Sequence, residues 1–151
     1  LLQARVRQLA SDPAWRPLAE RASGILRPEV EAEHAGAAVP MMMLATLEAM
    51  LGDRDAALRH AYRAVDLRVS SGDAVLGAVL SGVRLIRREP ALLHVLALLG
   101  ERERFFVQLE AVLNMPSALD PMMLRIEPAF APLRDDPRFE ALLEQARAPL
   151  F

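Results

Sequence analysis

The chain has 151 residues, of which 53% are hydrophobic and 25% are charged, and its formal net charge is −2. All 18 positive side chains are arginines and there is no cysteine, which excludes catalytic lysines, thiol nucleophiles, disulfides and Cys-bound zinc. The acidic balance argues against direct nucleic-acid binding, and no apolar run approaches the ~20 residues of a membrane span. We expect a cytoplasmic protein, not associated with a membrane, because nothing indicates an oxidising compartment.

Helical periodicity runs through the whole chain, because apolar residues recur at intervals of three and four and no segment alternates as a strand does. Glycines and prolines divide this pattern into segments of helix length. We predict a single all-α domain over residues 1–151, and the amphipathic pattern already under way at Leu2 indicates a fragment of a longer protein. Helices are predicted near residues 2–10, 14–23, 28–35, 40–51, 54–68, 74–88, 91–99, 102–113 and 137–147.

An internal repeat is the strongest signal in the sequence. Residues 51–54, Leu-Gly-Asp-Arg, recur 48 positions later at 99–102 as Leu-Gly-Glu-Arg, with matching apolar positions on both sides. Each copy predicts a helix, a tight turn and a second helix. The glycine can take the left-handed conformation that ends the first helix, and the acidic residue after it can cap the second. Because neither hairpin can bury its apolar face alone, we expect successive hairpins to stack.

The first copy resembles the tetratricopeptide repeat (TPR). Residues 52–58 read Gly-Asp-Arg-Asp-Ala-Ala-Leu, so that Gly52, Ala57 and Ala64 match the turn glycine and the two small residues of that family. The resemblance covers roughly residues 40–145 and implies antiparallel helix hairpins stacked as a short right-handed TPR-like superhelix. Its parts are hairpins near 40–68 and 91–113, an extra helix at 74–88 and a capping tail at 124–147.

The tail carries a resemblance of its own. Residues 124–128, Leu-Arg-Ile-Glu-Pro, and 130–139, Phe-Ala-Pro-Leu-Arg-Asp-Asp-Pro-Arg-Phe, are similar to the ending of degenerate TPR regions at the C-terminus of bacterial multidomain regulators. Those proteins carry a winged-helix DNA-binding, nucleotide-cyclase or protein-kinase domain upstream, which implies a regulatory role. Independently of the resemblance, Asp136 as N-cap and Pro137 as first residue predict a helix. Two rings are expected to pack the tail over the second hairpin: Phe130 and Phe139.

Residues that could carry chemistry are sparse. Glu31 and His34 have the i, i+3 spacing of di-iron helix bundles, but such sites need a second copy and two further carboxylates. Neither His60 nor His94 has an acidic residue three or four positions away, and Ser81 lies in a helical pattern without the first glycine of a nucleophile elbow. We therefore predict no enzyme activity, no catalytic residue, no metal and no other cofactor.

A partner-binding role is the leading functional interpretation. In TPR proteins the first helix of each repeat lines a concave groove, so the resemblance implies a groove that holds a peptide or a partner domain. It would be lined by Met42, Thr46 and Met50 from the first copy and by Arg87 and His94 from the second. The identity of the protein or peptide partner does not follow from these residues.

Two alternatives stay open at this stage. The first is a small-molecule-sensing helical domain, in which an apolar space lined by Met and Phe accepts a ligand and controls an upstream output domain. The second is self-association through an exposed apolar end. Six methionines could form an adaptable peptide-binding surface, although filling a core is the more usual use of such side chains: Met41, Met42, Met43, Met50, Met122 and Met123.

Overall fold

The computed structural model describes four stretches of the chain, residues 1–32, 35–70, 90–114 and 120–147. Within these stretches the secondary structure is helical and contains no strand, which confirms the all-α prediction. The chain divides into two compact units, Leu1–Arg84 and Leu85–Phe151, and each is described by itself. The predicted helix 74–88 lies outside the described residues. The single domain and the TPR-like superhelix stay predictions.

The first unit is built around one central helix. Its described helices are α1 (Leu2–Leu9), α2 (Trp15–Glu31), α3 (Ala38–Leu51) and α4 (Arg54–Ser70), with a 3-10 turn at Ala35–Ala37. Helix α3 packs against both α2 and α4, and eleven of its fourteen residues are buried. The methionines and leucines of α3 make it hydrophobic on nearly all sides. Such a helix is typically buried in a core.

Helix α2 corrects the sequence prediction of two helices, at 14–23 and 28–35. The structure has one continuous helix through Gly24 and Pro28. A proline removes the amide that would bind the carbonyl four residues earlier, which is that of Gly24. Because Gly24 is exposed, water can hydrate that carbonyl. Ala19 and Val30, on either side of Gly24 and Pro28, are buried. The free energy gained by burying them offsets the destabilisation that the glycine and the proline cause in the helix.

Both predicted hairpin turns are confirmed. Gly52 and Gly100 have φ angles of 88° and 69°, in the left-handed region that glycine adopts without steric cost. In the first turn the amide of Asp53 donates to the carbonyl of Glu48 at 2.9 Å, and in the second the amide of Glu101 donates to that of Leu96, also at 2.9 Å. These are the bonds of a Schellman motif, which ends a helix and satisfies its last carbonyls.

The two turns differ in how they begin the next helix. The Oδ1 atom of Asp53 accepts a hydrogen bond from the amide of Ala56 at 3.2 Å, as predicted for an N-cap. The prediction is wrong for Glu101, whose side chain makes no capping hydrogen bond. Its carboxylate lies 3.6 Å from Arg104 instead.

The second unit contains the second hairpin and the tail. Its described elements are α5 (Pro90–Leu98), α6 (Arg102–Leu113), α7 (Pro121–Ile126), a 3-10 segment (Pro128–Leu133) and α8 (Pro137–Arg147). Helix α7 was not predicted, although Asp120 caps it by accepting a hydrogen bond from the amide of Met122 at 2.8 Å. The 3-10 segment packs on α5 and α8 packs on α6, so the tail covers the second hairpin as predicted.

Aromatic rings form the centre of this second unit. Phe105, Phe130 and Phe139 are each at most 1% exposed. The rings of Phe105 and Phe130 meet edge to face, with centroids 5.1 Å apart, a geometry that adds to the stabilisation from burial alone. The expectation that Phe130 and Phe139 serve packing is therefore confirmed, and Phe105 joins them from α6.

Candidate functional site

The predicted groove residues of the first copy lie inside the first unit. Met42, Thr46 and Met50 are 9%, 7% and 6% exposed, and the hydroxyl of Thr46 donates to the carbonyl of Met42 at 2.9 Å. Because α3 is covered by α2 and α4, these side chains are core residues of the unit. The structure therefore brings the three together in the core and leaves them little surface for a partner.

The structure describes only one of the two predicted groove residues of the second copy. Arg87 lies outside the described residues. His94 is on α5, partly exposed, with its ring tilted against that of Phe130 at a centroid distance of 5.1 Å. Its Nε2 atom is 3.4 Å from a carboxylate oxygen of Glu127. His94 thus joins α5 to the residue that caps the 3-10 segment.

A second histidine pairs with a buried carboxylate in the first unit. The Nδ1 atom of His60 on α4 is 2.7 Å from Oε2 of Glu48 on α3, and Glu48 is only 2% exposed. A guanidinium nitrogen of Arg27 on α2 lies 4.0 Å from the other oxygen. Local spacing could not find this cluster, because its three members come from three helices.

The described residues contain no group of three or more potential metal ligands, and Glu48 with His60 supplies only two. Among the described residues, Glu48 is the one hydrogen-bond partner of the His60 side chain. The carboxylate therefore ties α2, α3 and α4 together, since a buried charge requires such partners. Two candidate residues from the sequence analysis lie outside the described residues: His34 and Ser81.

The second unit has an open groove on its surface. It lies between α6 and α8 and has a volume of about 270 Å³. Its floor includes the buried ring of Phe106 and the half-buried Leu142, while Val107 is 68% exposed. The full lining consists of Glu103, Phe106, Val107 and Glu110 from α6 and Arg138, Ala141, Leu142 and Gln145 from α8.

A network of ion pairs fixes one end of this groove. Arg138 donates to both oxygens of Glu103 at 2.9 and 3.0 Å and to Asp136 at 2.9 and 3.1 Å. Its guanidinium carbon lies 4.2 Å from the centre of the Phe106 ring, a cation–π contact. Arg102 donates to Asp136 at 2.8 Å. The start of α8 is thereby held against the start of α6.

The same network shifts the titration of its members. Hydrogen bonds from Arg138 and Arg102 hold the pKa of Asp136 well below its usual range, against the opposing effect of burial. Hydrogen bonds from Arg138 also lower the pKa of Glu103. In return, Asp136 and Glu103 raise the pKa of Arg138. These groups are charged at neutral pH, and their charges neutralise one another.

Further apolar side chains are exposed elsewhere. Met122, Met123 and Ile126 are more than half exposed on α7, so these two methionines do not fill a core, whereas Met41 and Met50 do. In the first unit a second open groove of about 240 Å³ lies between α1 and α2 and is bordered by Ile25, which is also exposed. Both grooves are smaller than the ~300–1,000 Å³ of ordinary small-molecule pockets.

Comparison of the chain with protein-family models, curated proteins and solved structures finds no match. Among the helices in the described stretches, none combines the length and the apolar character needed to cross a membrane.

Proposed function

We propose that this chain is a helical scaffold of the TPR-like kind that binds a partner protein or peptide and has a regulatory role. The observation that carries this proposal is the groove between α6 and α8, where the exposed Val107 lies beside Ala141 and the half-buried Leu142. A groove between two helices can receive the apolar side chains of a partner. The ion-pair network keeps this surface preformed, which reduces the entropic cost of binding.

The proposed partner-binding surface differs from the one that the TPR resemblance implies. Met42, Thr46 and Met50 are buried, so we place the partner on the second unit instead. The small, open shape of both grooves favours side chains of a partner over a small molecule, which usually needs a larger and more enclosed pocket.

The proposal is tested by capture of partners from the cells that make this protein. Val107→Asp puts a charge into the groove without changing the buried residues, and we expect it to lose a partner that the wild-type chain retains. Val39→Asp is the matched control, because Val39 is also more than half exposed but lies on α3. Equal recovery of every partner by the wild type and Val107→Asp would contradict the proposal.

A further inference from the structure

The lining of the groove has a regular geometry. The residues on each wall are spaced i, i+3, i+4 and i+7, so each wall is two turns of one helix face and the groove is about 10 Å long. Glu103 and Arg138 pair across one end. Two turns further along each helix, Glu110 and Gln145 line the same groove.

The backbone of the two walls favours a partner whose own main chain is already hydrogen-bonded. Both walls are helices, whose amide and carbonyl groups are already used in internal hydrogen bonds. An extended peptide gains affinity by adding main-chain hydrogen bonds to an open sheet edge, and two helix faces offer none. A helical partner brings its own satisfied backbone and needs only apolar side chains that fit between α6 and α8.

The charges of the groove determine which side chains flank that apolar stripe. Arg138 is fully engaged by Asp136 and Glu103, and Asp136 is also bound by Arg102. Glu110, in contrast, is exposed and forms no ion pair within the described residues. The uncompensated charge of the groove is therefore negative, and a partner complementary to it carries a basic residue opposite Glu110.

We propose that the groove between α6 and α8 binds an amphipathic α-helix of a partner protein, which has an apolar stripe of about two turns flanked by Arg or Lys. This inference rests on the proposed partner-binding function and specifies the chemistry of the partner. The helix packs its stripe against Val107, Ala141 and Leu142, beside the Phe106 ring that Arg138 already covers. Its basic residue pairs with Glu110.

The test uses the full chain and two synthetic peptides. Each has about four helical turns, held helical by a side-chain cross-link on the polar face, since short free helices are marginal in water. Both carry leucines at i, i+3, i+4 and i+7. The basic peptide has arginines beside the leucines and the acidic peptide has glutamates there. Binding is measured by fluorescence anisotropy, with circular dichroism to confirm that each protein variant is folded.

We expect the basic peptide to bind the wild type more tightly than the acidic peptide does. Val107→Asp should weaken binding about tenfold or more, because a charge then lies in the apolar contact. Glu110→Arg should reverse the preference between the two peptides. The affinity for each peptide should change by up to about fivefold, because an exposed ion pair contributes little free energy. Val39→Asp should bind both peptides as the wild type does.

Several outcomes would overturn the inference. The first is no binding of the basic peptide at about 1 mM, the weakest affinity of interest, and the second is equal binding of both peptides to the wild type. The third is a dimer in sedimentation velocity that Val107→Asp dissociates, which would identify a second copy as the occupant. If the peptides fail but Val107→Asp still loses a captured cellular partner, the helical class of partner is wrong while the partner-binding function stands.

Discussion

The Nδ1 atom of His60 lies 2.7 Å from a carboxylate oxygen of Glu48, and this contact ties the two helices of the first hairpin together across the turn at Gly52. Glu48 is almost completely buried, whereas the His60 side chain keeps 23% of its surface exposed. The two partners are therefore not equivalent, because only the carboxylate depends on the pair for its solvation.

That asymmetry predicts the outcome of a mutant cycle. His60→Leu should destabilise the chain by about 1–3 kcal/mol, because Arg27, 4.0 Å away, is then the only partner of the buried carboxylate among the described residues. The double variant Glu48→Leu/His60→Leu should be more stable than His60→Leu alone, since two apolar groups can replace a buried polar pair. Denaturant midpoints of the three variants and the wild type measure this, and a double variant less stable than His60→Leu would show that Glu48 acts independently of the histidine.

The pH dependence of the second unit follows from Asp136. Its pKa is lowered by hydrogen bonds from Arg138 and Arg102, so folding favours the ionised carboxylate. The resulting stabilisation is present above the unfolded-state pKa of about 3.9 and is lost progressively as the pH falls from there towards the lowered pKa of the folded state. Asp136→Asn should make the unfolding midpoint less sensitive to pH below about 4. Asp135→Asn, at an exposed neighbour, should keep the wild-type profile, and identical profiles for both variants would contradict this role.

The tail rings should carry a large part of the stability of the second unit. Phe130→Ala and Phe139→Ala each remove a ring that is at most 1% exposed, so each should cost about 3–5 kcal/mol. That is a large fraction of the free energy of unfolding of a domain, which is ~5–15 kcal/mol. Calorimetry or chemical denaturation measures it. If Phe139→Ala kept wild-type stability but lost a partner, the tail would be a binding element and its packing role would be wrong.

Replacing Gly52 and Gly24 with alanine should change the free energy of unfolding in opposite directions. Gly52 has a φ of 88°, whereas Gly24 lies inside α2, and an added Cβ would meet no atom within 4 Å at either position. Backbone conformation alone therefore decides the effect. Gly52→Ala should destabilise by about 1–2 kcal/mol, and Gly24→Ala should stabilise by about 0.5–1 kcal/mol. Thermal unfolding of the two variants tests this pair, and destabilisation by both would show that α2 needs its glycine.

Local chemistry explains why some features could be predicted from the sequence. Gly52 and Gly100 end their helices through bonds within a few residues, and Asp136 caps α8 by accepting from the amide of Arg138, two residues later. The continuous helix through Gly24 and Pro28 could not be predicted, because burial of its flanking residues overrides the local breakers. The pairing of His60 with Glu48 joins residues twelve positions apart, beyond the reach of helical spacing.

The groove was also beyond sequence analysis. Phe106 and Val107 are adjacent in the chain, but Phe106 is buried and Val107 exposed, and only the packing of α8 on α6 turns this difference into a site. The TPR resemblance directed attention to α3, where Met42 and Met50 are covered. A repeat pattern predicts which helices pair, whereas it does not predict which faces remain open after pairing.

Site-specific photocrosslinking tests the partner-binding claim most directly. A photoreactive phenylalanine analogue replaces Val107 in one variant and Val39 in another, and both are expressed in the cells that make this protein. We predict that position 107, which lines the groove, forms a covalent adduct with a discrete partner and that position 39 does not. Adducts at 39 with none at 107, or the same adducts at both positions, would contradict the account.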